Sequence, residues 1–77
     1  MNHRKVKPSF VVCVQNEGYK ASLDLRKVYK QLPDKKAEAD HLIRVIDESG
    51  EDYLYPAECF VAVVLSKSAR KVLLLAS

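Results

Sequence analysis

Apolar residues fall in short runs broken by charged and turn-forming stretches. The first, residues 9–15, reads Ser-Phe-Val-Val-Cys-Val-Gln, β-branched and apolar on both faces, and predicts a buried strand. Asn16-Glu17-Gly18 breaks it. Further on, Leu23 and Leu25 alternate with Ser22, Asp24 and Arg26 ahead of the β-favouring pair Val28-Tyr29. Leu25, Val28 and Leu32 also stand at helical spacing, so a helix over 21–31 competes with a loop followed by a strand. The β-rich end and Pro33 favour the loop, with the strand at 27–32. Asp34 then N-caps a short helical turn over 35–40.

Residues 41–47, His-Leu-Ile-Arg-Val-Ile-Asp, predict a third strand. Glu48-Ser49-Gly50-Glu51 reads as a hairpin loop in which Gly50 supplies a positive φ, and 52–55 is the returning strand. Pro56 has no N–H for a ladder, so 56–59 is expected to form a tight 3₁₀-like corner before a last strand at 60–65. Residues 66–77 have a serine cap and apolar positions at 69, 72, 73 and 76. That helix is too short to persist without a surface to lie on. One helix face cannot cover the four consecutive apolar residues 72–75, so either some of them are simply exposed or they form an intermolecular contact, a weak self-association through residues 67–77. Residues 1–8, basic and closed by Pro8, read as a flexible arm. The chain of 77 residues is thus expected to be one mainly β domain over 9–65, with an arm before it and a helical tail after it.

Composition narrows the function classes. Hydrophobic residues make up 48%, too many for a disordered chain. Cys13 and Cys59 form no CxxC and no four-ligand set with the histidines, which predicts two buried free thiols in a reducing cytoplasm. No run reaches the roughly 20 apolar residues of a membrane span. With only Gly18 and Gly50, there is no glycine-rich loop to cradle phosphate. Charge is two-sided: Arg4, Lys5 and Lys7 crowd the arm, and Lys20, Arg26, Lys27, Lys30, Lys35 and Lys36 outnumber Asp24 and Asp34. From 38 to 58, Arg44 alone faces seven carboxylates. Such a field steers partners but lacks the dense basic stripe of a committed nucleic-acid binder.

Five short strands, a long loop after the first, a tight hairpin between the third and fourth and a one-turn corner before the fifth resemble a Src-homology-3-like barrel. Residues 22–32 look like that family's diverging turn, and residues 50–61 are similar to its fourth strand, proline-led corner and fifth strand. The stretch Asp47 to Pro56 also resembles one found in a set of small, uncharacterised bacterial proteins, a likeness that implies no activity. The barrel family grips proline-rich helices between aromatic walls. This chain has no Trp and has Cys59 three residues after Pro56, so the resemblance implies the fold without that ligand.

Candidate chemistry is sparse. Asp47, Glu48, Glu51 and Asp52 match no calcium loop and read as a solvated turn whose charges discourage edge pairing. Cys59 with His41 or His3 would need an orienting group and an oxyanion site that no spacing suggests. No catalytic, cofactor-binding or metal-binding residue is therefore expected. The expectation is a non-enzymatic, cytoplasmic, bacterial binding module for another protein. Its contact surface is expected at Tyr53, Tyr55 and Pro56, with Tyr29 and Lys27 as the opposing wall. The alternative is an RNA- or DNA-binding barrel using Arg4, Lys5, Lys7, Lys20, Arg26, Lys27, Lys35 and Lys36, gathered on one side with the acidic hairpin opposite.

Overall fold

A computed structural model describes residues 9–76, and the expected arm with Arg4, Lys5 and Lys7 lies outside them. Five strands form one antiparallel sheet: β1 (Ser9–Cys13), β2 (Val28–Leu32), β3 (Leu42–Ile46), β4 (Asp52–Pro56) and β5 (Phe60–Val63), in the order β4-β3-β2-β1-β5. Helix α1 (Lys35–Ala39) links β2 to β3, a 3₁₀ turn (Ala57–Cys59) links β4 to β5, and helix α2 (Lys67–Ala76) follows. The mainly β class, the five strands and the short C-terminal helix are as expected. Residues 21–31 hold a loop and the start of β2, not a helix.

Local chemistry sets the boundaries. The Asp34 side chain accepts the Ala37 N–H at 3.0 Å and caps α1. The strand expected from residue 41 begins one position later, because His41 adopts φ 62. It takes the left-handed position that follows a helix C-terminus, where glycine is usual. β1 ends at Cys13, short of the expected residue 15. Its C=O accepts the Arg26 N–H at 2.7 Å while its N–H donates to Lys27 C=O at 2.9 Å, so one residue opposes two. With Arg26 at φ 63, this is a β-bulge with a left-handed first residue. β5 likewise stops at Val63.

Pro56 was expected outside the ladder, yet it is the last residue of β4. Asp47 N–H donates to Glu51 C=O and Ala57 N–H to His41 C=O, so bonded pairs alternate along β3 and β4 at 45/53 and 43/55. Pro56 falls in the other set, where a missing N–H costs the ladder nothing.

One face of the sheet carries the core of Val11, Cys13, Tyr29, Ile43, Val45, Tyr55 and Phe60, closed by Leu23 from the long loop and Cys59 from the 3₁₀ turn. The aromatic rings meet edge to face, Tyr55 lying 6.2 Å from Phe60 and 5.1 Å from Tyr19 between centroids. The other face meets α2. Ser66 Oγ accepts the Ala69 N–H at 3.1 Å, and the Arg70 guanidinium lies 5.1 Å from the centre of the buried Phe10 ring. Ala69, Arg70 and Leu73 are half-buried, whereas Val72 and Leu74 are exposed.

Candidate functional site

The most highly organised surface feature is the β3–β4 hairpin. Gly50, at φ 86, donates its N–H to Asp47 C=O at 2.9 Å and closes the turn. The Asp47 carboxylate accepts the Ser49 N–H at 2.8 Å and the Ser49 hydroxyl at 2.6 Å. It is only 6% exposed, and it also accepts the Tyr55 hydroxyl. Burial pulls its pKa up, but the Ser49 and Tyr55 hydrogen bonds outweigh burial and hold the carboxyl below its ordinary value. Burial and the same carboxylate push the Tyr55 phenol up.

A second tyrosine secures the neighbouring acid. Tyr29 OH donates to Glu48 Oε2 at 2.6 Å and accepts the Asp24 N–H at 2.7 Å. Lys27 Nζ lies 2.5 Å from the same Glu48 oxygen. Burial, then the Glu48 hydrogen bond, raises the Tyr29 phenol far above the usual tyrosine value. Lys27 and Tyr29 hold the Glu48 carboxyl down, and Glu48 holds Lys27 up. Glu48 N–H also donates to Ser22 C=O at 3.0 Å, tying the hairpin to the long loop.

Two open depressions flank this network. One, about 670 Å³, runs between Lys27, Lys30, Ile46 and Glu48 towards Leu73 of α2. The other, about 390 Å³, lies between Tyr19, Ser22, Asp47, Tyr53 and Tyr55.

The expected contact residues separate. Tyr53 is 50% exposed, its hydroxyl donating to Glu51 at 3.2 Å, and Pro56 is half-buried. Tyr55 and Tyr29 are buried, which corrects the expectation of an exposed tyrosine surface. Alternation put Tyr53 and Tyr55 on one face correctly, but that face is the core side, and only Tyr53 lies far enough along β4 to reach solvent. Lys27 is exposed but engaged by Glu48. Leu54, 42% exposed on the opposite face of β4, was not anticipated.

The basic residues Lys20, Arg26, Lys27, Lys35 and Lys36 are all exposed. Lys27 does not stand opposite the acidic hairpin as expected, because it pairs with Glu48; Arg44 pairs with Asp34 and Asp52, each at 2.9 Å. Cys13 and Cys59 are buried free thiols, and burial raises both pKa values. His41 is exposed, and its C=O serves Ala57. Among the described residues, no group of three or more His, Cys, Asp or Glu is arranged to hold a metal ion, and no helix is long and apolar enough to cross a membrane. Comparison of the chain with protein-family models, curated proteins and solved structures finds no match.

Proposed function

We propose that the chain is a non-enzymatic, Src-homology-3-like binding module of a bacterial cytoplasm, holding another protein against the edge strand that carries Tyr53 and Leu54. The long loop after β1, the hairpin between β3 and β4 and the 3₁₀ corner before β5 support the barrel reading. Two reduced, buried thiols support a reducing compartment. The observation that carries the reading is the placement of Tyr53 and Leu54. Both are large, apolar and exposed, they are consecutive on an edge strand, and the hairpin beside them is tied down by the Tyr55–Asp47 and Tyr29–Glu48 hydrogen bonds. Immobilised aromatic area of this kind binds at low entropic cost.

The test is affinity capture by the full chain, with and without nuclease, set against Tyr53→Ala. Capture of the same protein after nuclease treatment, lost with Tyr53→Ala while the circular dichroism spectrum is unchanged, supports the reading. Retention of nucleic acid alone overturns it and favours the second reading, an RNA- or DNA-binding barrel, for which the exposure of Lys20, Arg26, Lys35 and Lys36 speaks. Phosphate contacts would then give a log–log salt slope of about −0.7 to −0.9 per contact.

A further inference from the structure

We propose that β4 is a docking edge to which an extended, positively charged peptide segment adds as a sixth strand. The inference rests on the protein-binding reading and names the partner's chemistry and its mode of attachment. It begins with the direction of main-chain groups. Because residues 53 and 55 bond to β3, the N–H and C=O of Asp52 and Leu54 point the other way, out of the sheet. β4 stands at one end of the strand order, and no strand among the described residues pairs with that side. Outward main-chain donors and acceptors on an edge are a template for another strand.

The side chains around that edge select the guest. Tyr53 and Leu54 both border the depression shared with Tyr19 and Ser22, and strand alternation turns the exposed Leu54 side chain to the opposite face. An added strand places alternate side chains on these two surfaces. Glu51 is exposed beside the strand, and Asp52 shares the single cation Arg44 with Asp34, so the local charge balance is negative. A cationic segment is attracted to it, an acidic one is repelled, and a second copy of this chain adding at the same edge would bring the same carboxylates against their like. β5, the other edge, carries no charged residue within its strand, whereas β4 opens with Asp52 directly after Glu51.

The probe is a capped seven-residue peptide of alternating lysine and valine, with a glutamate–valine peptide as its counterpart. Amide hydrogen exchange is read residue by residue on the full chain. Leu54 N–H exchanges fast in the free protein. At saturation with the lysine probe it slows by at least about tenfold, equivalent to one new net hydrogen bond, while Ala62 on the β5 edge is unchanged. Glu51→Lys weakens the probe, and raising salt does the same. The glutamate peptide leaves Leu54 unaffected. Slow Leu54 exchange in the free chain, equal slowing by both peptides, or binding that leaves Leu54 fast overturns the proposal. Unslowed Leu54 exchange together with a Tyr53-dependent captured protein removes strand addition and leaves the binding-module reading standing.

Discussion

Replacing Tyr55 by Phe removes one hydroxyl and leaves the ring, so the edge-to-face contacts with Tyr19 and Phe60 persist. What is lost is the hydrogen bond to the Asp47 carboxylate, 6% exposed and then held by Ser49 alone. A hydrogen bond to a charged group contributes about 1.5–3 kcal/mol, and a buried acceptor deprived of its donor keeps its desolvation cost. Tyr55→Phe should therefore lower unfolding stability by about 1.5–3 kcal/mol at pH 7, or roughly 6–24 °C in Tm for a domain of this size. The effect depends on pH with a definite sign. Hydrogen bonding depresses the folded-state pKa of Asp47, so its contribution is present above the unfolded value of about 3.9 and fades as pH falls through the folded value. Loss of the hydroxyl moves the folded pKa back up, so the gap between variant and parent should be widest near neutrality and narrow in acid. Urea titrations at pH 7 and in acid measure both. A loss below about 0.5 kcal/mol at pH 7, or an equal loss at both pH values, refutes the account of Asp47 as a hydrogen-bonded anchor.

Gly50→Ala should cost about 1 kcal/mol from backbone conformation alone, since φ is 86 and an added Cβ meets no atom within 4 Å; Gly50→Asn should cost less, and equal losses in thermal melts would contradict this. Both thiols should resist alkylation in the native state and react fully in urea, because burial raises their pKa; rapid native labelling by a disulfide reagent would show them accessible. The Tyr29 phenol is raised by burial and by Glu48, so its stabilising share is complete below the ordinary tyrosine pKa of about 10 and is lost only as pH climbs through the higher folded value. In an ultraviolet alkaline titration Tyr29→Phe should remove a phenolate step that lies above the ordinary tyrosine range; loss of a step within that range instead would contradict this. Deleting residues 67–77 should lower any self-association seen by sedimentation of the full chain; an identical oligomeric state in both would exclude that segment as the contact.

What could be read in advance was whatever short-range chemistry determines. The Asp34 cap, the Gly50 turn and the loop before β2 each depend on a few neighbouring residues and are found where expected, and the 3₁₀ corner is found one residue late, at 57–59, with Pro56 kept in β4. Left-handed Arg26 and His41 were not legible, because neither residue type announces a positive φ as glycine does. The site was read less well than the fold. Period-two alternation shows that Tyr53 and Tyr55 share a side, but not which side is covered; that depends on Leu23 arriving from the long loop and on the way the 3₁₀ turn folds Cys59 back over the sheet. Joining Lys27 to Glu48 is likewise a product of tertiary folding, which neither charge run reveals on its own.

Glu48 belongs to the hairpin, yet its N–H rests on Ser22 and its carboxylate on Lys27 and Tyr29. Lifting the hairpin therefore costs the long loop its hydrogen bond at Ser22, and moving the loop costs the hairpin the same bond. Two segments remote along the chain thus share an energetic term, so the local opening of one should make opening of the other easier.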